Sequence, residues 1–121
     1  MTKYSSVIAR ILLAQIFIMA GISKITGYAG TQGYMEMMGV PGMLLPLVII
    51  LELGGGIAIL VGWQTRWTAY ALGGFTVLAA ILFHGDFSDQ THMIMFMKNL
   101  AITGGLLLLA EHGPGKFSLG K

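Results

Sequence analysis

The chain is 121 residues long, 55% hydrophobic and only 10% charged, with a mean hydropathy of +0.79. Soluble domains carry about 25% charge, so a soluble fold of this size would lack the polar side chains to cover its own surface. Intrinsic disorder, a charged coiled coil and a basic nucleic-acid arm are excluded by the same figures, which leaves an integral membrane protein. The net charge is +2 and the seven Lys/Arg are scattered singly, so no nucleic-acid partner is implied. Cysteine is absent, which removes disulfides, thiolate metal sites and thiol redox chemistry by the chain itself.

A hydrocarbon core about 30 Å thick is crossed by about 20 mostly apolar residues in helical form. Four segments qualify. The first, residues 6–23, is interrupted by Arg10 and Gln15. Its basic start resembles a secretory leader, but Gln15 inside the run and three spans downstream make it a retained helix. After it, Gly27, Gly30, Gly33, Gly39 and Pro41-Gly42 punctuate a loop in which Tyr34 to Met38 is amphiphilic. A short interfacial helix and an irregular surface loop both fit that segment. The second span, residues 43–62, contains Glu52; the third, residues 67–84, has no charge; the fourth, residues 93–110, carries Lys98 and Asn99. The expectation is an all-α, integral-membrane four-helix bundle forming one domain over residues 1–121.

Loop charges set the orientation. Lys3, Arg66, Lys116 and Lys121 collect on one side, while Lys24 faces Glu36, Asp86 and Asp89 on the other. Both termini are therefore expected in the cytoplasm, with the first and third loops periplasmic. Trp63 and Trp67 flank the tight second turn, as interfacial aromatics do.

Ionisable side chains inside a span are costly and face a partner or a cavity. At 1.5 Å per residue from the periplasmic span ends, Glu52 lies ~14 Å deep, Gln15 ~12 Å, Asn99 ~9 Å, Lys98 ~8 Å and Arg10 ~20 Å. Lys24 and His84 sit at the periplasmic mouth. Long Arg and Lys side chains bridge such offsets, so Glu52 is expected to face Arg10 or Lys98, with Gln15 level with it. Arg10, Ala14, Phe17, Gly21 and Lys24 follow helical spacing and share one stripe. Gly54-Gly55-Gly56, Gly73-Gly74 and Gly104-Gly105 give the other helices small-residue contact zones. Two readings of the cluster stand: a buried ion pair that fixes helix register, or a site for a polar head group or a proton. His84 and His92 flank Asp86 and Asp89, but their spacing matches no tight ligand motif, and they read as solvated rim residues with no metal. The methionine-rich stretches read as flexible apolar filler.

A family resemblance rests on an ordered set of short pieces. These are Arg10-Ile11-Leu12-Leu13 with Ala20-Gly21-Ile22-Ser23-Lys24, then Glu52-Leu53-Gly54-Gly55-Gly56 with Gly62-Trp63-Gln64-Thr65-Arg66. Ile81-Leu82-Phe83-His84, Lys98-Asn99-Leu100-Ala101 and the tail Gly113-Pro114-Gly115-Lys116-Phe117-Ser118-Leu119 follow. Together they resemble the DoxX family of bacterial inner-membrane proteins over nearly the whole chain. Gly120 departs from the family tail, which commonly has Asp there. The resemblance implies a multi-pass bacterial inner-membrane bundle, and the family name comes from the membrane part of a thiosulfate:quinone oxidoreductase. Relatives are linked to membrane redox and oxidative-stress complexes, and the family's recurrent polar positions map onto Arg10, Lys24, Glu52, His84, Lys98 and Asn99. The functional expectation is an accessory subunit of a redox or quinone-linked system. It would bind a quinone-like or other small ligand at the polar cluster and act as a homo-oligomer or within a larger complex. The alternative is a non-catalytic assembly subunit.

Overall fold

The computed structural model describes residues 3–83, 88–115 and 118. Five α-helices follow in order: α1 (Lys3–Thr26), α2 (Tyr28–Met37), α3 (Leu45–Val61), α4 (Thr65–Phe83) and α5 (Gln90–His112). A 3-10 turn, Gly42–Leu44, precedes α3. Helices α1, α4 and α5, and α3 together with its 3-10 turn, are each long and apolar enough to cross a membrane. The four-span, all-α expectation is therefore met.

Local chemistry sets the helix ends. Helix α1 runs unbroken to Gly27, whose amide donates to the Ser23 carbonyl. Helix α3 carries proline in its first turn, where a missing N–H costs nothing. It stops at Gly62, which adopts φ 76; the Gly62 and Trp63 amides then close back on Ile59 and Ala58 in the manner of a Schellman cap. Asp89 caps α5 by accepting from the Thr91 amide at 2.8 Å. These polar ends extend α1 and α5 past the apolar spans read from the sequence.

The segment after α1 resolves to a helix, despite glycines at 30 and 33 that each cost about 1 kcal/mol relative to alanine. Tertiary contact holds it. Met35 is buried, and the Gln32 amide donates to the Gly42 carbonyl at 3.3 Å. The helix ends where Gly39, at φ 83, turns the chain and Val40 donates back to Met35.

The four long helices form a ring. α1 packs on α3, α4 on α5, α3 on α4 and α1 on α5. The tight pairs are α1/α3 and α4/α5. Ala14, Phe17, Ile59, Ala69, Leu72, Leu106, Leu109 and Ala110 fill the half of the ring nearest the termini. Large apolar side chains such as Leu12, Met19, Leu47, Ile57, Leu78 and Leu107 point outward, as a lipid-facing surface requires. Each glycine run divides its members. Gly55, Gly56, Gly73 and Gly105 have a neighbouring helix within 4 Å of where a Cβ would lie, whereas Gly54, Gly74 and Gly104 meet open space.

Candidate functional site

In the half of the ring away from the termini, the four long helices, α2 and the 3-10 turn surround a common space. The space is a cavity of about 460 Å³ lined by all five helices. Small-molecule sites typically span about 300–1,000 Å³.

Its main polar feature is an ion pair. Helices α1 and α3 run antiparallel and approach closely, because a Cβ on Gly21 would come 2.6 Å from Leu53 Cγ. A Cβ on Gly56 would lie 2.8 Å from Ile18 Cγ1 and 3.3 Å from the Ala14 carbonyl oxygen. That register brings the last turn of α1 to the middle of α3, and Lys24 Nζ meets Glu52 Oε1 at 2.6 Å. The Glu52 side chain is 5% exposed and that of Lys24 27%. The carboxylate is thus buried, while the lysine side chain is partly exposed.

On the opposite wall, Lys98 and Asn99 of α5 also line the cavity. Asn99 Nδ2 donates to the Thr76 carbonyl at 3.3 Å, and Thr76 Oγ1 donates to the Leu72 carbonyl at 2.6 Å. The Thr76 carbonyl thereby ties α4 to the adjacent α5. Phe17 and Phe75 line the walls, and Tyr34 of α2 stacks on Phe83 of α4 with ring centroids 5.5 Å apart at the covered end. An ammonium–carboxylate pair, a second ammonium and an amide inside an aromatic, apolar chamber suit a small molecule with a polar head and a flat apolar body. A single carboxylate already held by lysine is not a metal-ligand set.

Four of the seven residues singled out from the sequence, Lys24, Glu52, Lys98 and Asn99, line this cavity. His84 lies outside the described residues. Arg10 and Gln15 lie elsewhere, and Glu52 pairs with Lys24 in place of the expected Arg10 or Lys98. The expected alignment assumed that α1 and α3 end at the same level. Instead Gly21 meets Leu53, so Glu52 lies near residue 22 of α1, and Gln15 is about 10 Å further along. Gln15 is exposed and its Nε2 donates to the Leu12 carbonyl within its own helix.

Arg10 serves the other end of the bundle. It is 2% exposed, and Nη1 donates to the Leu60 carbonyl at 2.9 Å. That carbonyl belongs to the last turn of α3, where intrahelical partners run out and a cation is favourable. The left-handed turn at Gly62 passes so close that a Cβ there would lie 2.7 Å from Arg10 Nη1. Pro114 is buried, and Gly115 lies against Ser6 with no room for a side chain, so the tail after α5 closes over the same end.

Sequence reasoning missed the Thr76 link and the Tyr34–Phe83 lid. Thr76 falls on the buried stripe Ala69, Leu72, Gly73, Thr76 and Ala80 of α4, a helical spacing that would have marked it. No comparable pattern pairs Tyr34 with Phe83, because the two meet only once α2 folds over the ring.

Four membrane-length helices around a cavity that holds an ion pair define a small polytopic membrane protein. The chain belongs to the DoxX family, whose model matches residues 5–85. It is 62% identical over 112 residues to the Escherichia coli (strain K12) inner membrane protein YqjF, covering 93% of this chain and 86% of the relative. It is 38% identical over 120 residues to the inner membrane protein YphA of the same organism, covering 93% and 85%. A Bacillus subtilis (strain 168) protein named "Putative oxidoreductase CatD" is 26% identical over 116 residues, covering 90% and 86%. No solved structure matches the chain. With four candidate spans and two relatives named for the inner membrane, this is a multi-pass inner-membrane protein.

Proposed function

We propose that the chain is a small accessory subunit of a quinone-linked redox system, and that its cavity holds a quinone-like head group. The observation that carries this is the Lys24–Glu52 pair set within an aromatic-walled cavity inside the membrane-spanning part of the fold. An ion pair made only for packing would leave no room beside it, whereas about 460 Å³ of lined space adjoins this one. Lys24 and Lys98 are donors for a carbonyl oxygen, and Glu52 is an acceptor for a hydroxyl. A quinone and its reduced form would each find a partner. Tyr34, Phe83, Phe17 and Phe75 offer ring faces for the body of the ligand. With no cysteine in the chain, the redox equivalents belong to the ligand and to a partner protein, and this chain supplies binding and orientation. The family relative named as an oxidoreductase is in keeping with that role. With both termini in the cytoplasm, as the loop charges favour, the cavity would open toward the periplasmic side.

The test is a titration of the protein in detergent with a short-tailed ubiquinone, followed by calorimetry. Saturable binding that is lost when Lys24 and Glu52 are together replaced by Met and Leu supports the proposal. Equal uptake by both proteins would remove the site.

One observation favours a second reading, that of an assembly subunit. Gly54, Gly74 and Gly104 face outward with no neighbour, and small residues on a lipid-facing surface admit close approach by another membrane helix. The two roles are compatible, since one uses the cavity and the other the outer faces.

A further inference from the structure

The charges lining the cavity do not cancel. Among the described residues Lys24, Glu52 and Lys98 line it, which gives two positive charges against one negative. Glu52 is consumed by Lys24 at 2.6 Å, and Lys98 makes no ion pair with the described residues. Lys98 is the ninth residue of α5, about 12 Å from the start of that helix. A cation within a membrane span is found with a counter-charge or a water-filled path.

Building on the ligand site proposed above, we infer that its natural occupant is an anion: a quinone-like ring bearing one ionised oxygen that sits against Lys98. The acidic head supplies the missing negative charge and brings the cavity to neutrality. Lys24, held by Glu52, orients the head without being its main counter-ion. The ring lies among Phe17, Phe75, Tyr34 and Phe83, whose side chains line the same space. A neutral carbonyl compound of the same shape would fill the aromatic part and leave Lys98 uncompensated. Binding therefore discriminates by charge at constant shape. The alternative for Lys98 is that its long side chain reaches the interface on its own, in which case no charge preference exists.

The experiment compares two probes of one shape and different charge, 2-naphthoate and 2-acetonaphthone, by calorimetry on the full-length protein in a non-ionic detergent. Wild type is expected to bind the anion at least tenfold more tightly, and Lys98→Gln to bring the two affinities within about twofold. Lys98 is exposed, so the variant is expected to keep the wild-type melting temperature, which is measured alongside. Equal affinities in wild type, with both probes bound, overturn the anion inference and leave the cavity as a ligand site. A preference that survives Lys98→Gln also overturns the assignment to Lys98. Failure of the anion to bind overturns the inference, and failure of both probes removes the ligand site with it.

Discussion

Removing either partner of the Lys24–Glu52 pair is predicted to destabilise the protein unequally. Breaking a buried ion pair costs about 3–5 kcal/mol, because the surviving charge is left uncompensated. Lys24→Met leaves the Glu52 carboxylate, whose side chain is 5% exposed and whose short stem holds it mid-helix on α3, so the cost falls at about 4 kcal/mol. Glu52→Gln leaves the Lys24 ammonium instead. Its side chain is 27% exposed, it occupies the last turn of α1, and its long stem lets the charge move outward. A cation there also retains a favourable interaction with the helix end of up to about 1 kcal/mol, so the cost falls at about 2 kcal/mol. The double substitution Lys24→Met/Glu52→Leu leaves no charge and is expected to lie within about 1 kcal/mol of wild type. The double variant is therefore expected to be more stable than Lys24→Met alone, whereas changes at sites out of contact add. Reversible unfolding in mixed micelles measures all four proteins. A Glu52→Gln cost equal to or above that of Lys24→Met, or a double variant no more stable than Lys24→Met, would refute the reasoning.

The remaining predictions follow from the same geometry. Gly56→Ala is expected to destabilise by about 1–3 kcal/mol, since the new methyl meets Ile18 and the Ala14 backbone. Gly54→Ala, which meets open space, should be neutral or stabilising by up to about 1 kcal/mol; melting temperatures of the two variants check the contrast. Arg10→Gln loses the charged hydrogen bond to the Leu60 carbonyl and should cost about 1.5–3 kcal/mol. Its affinity for a cavity ligand should be nearly unchanged, because Arg10 serves the opposite end; unfolding and binding measured on one preparation separate the two effects. Tyr34→Ala removes a ring stack worth about 0.5–1.5 kcal/mol and opens the covered end of the cavity. It should weaken ligand binding more than it lowers the melting temperature, read by calorimetry and thermal scan.

The fold was legible because spanning a bilayer restricts a chain to long apolar helices, and residues 6–23, 43–62, 67–84 and 93–110 each fill that length. The inward stripe of α1 was also legible: Arg10, Ala14, Phe17 and Gly21 are buried and Lys24 is half-buried, as their spacing requires. The partner of Glu52 was not. Depth counted from span ends assumes level ends, whereas α1 continues to Thr26 and α3 starts at Leu45; the glycine contacts set the true register. Nor does a Gly-Gly pair reveal which member faces the bundle. Gly73 faces α5 while Gly74 faces outward, a distinction fixed by helix rotation in the assembled ring. The segment between the first two spans stayed open between helix and loop because its glycines argue one way and its contacts with the 3-10 turn, invisible in sequence, decide the other.

The space beside Lys24 and Glu52 is expected to hold a small amphipathic molecule. Native mass spectrometry of protein released from its own membranes tests it most directly, comparing wild type with the Lys24→Met/Glu52→Leu variant that the unfolding argument expects to stay folded. A discrete small-molecule adduct on wild type that is absent from the variant is the predicted result. The same adduct on both proteins, or none on wild type, would contradict it.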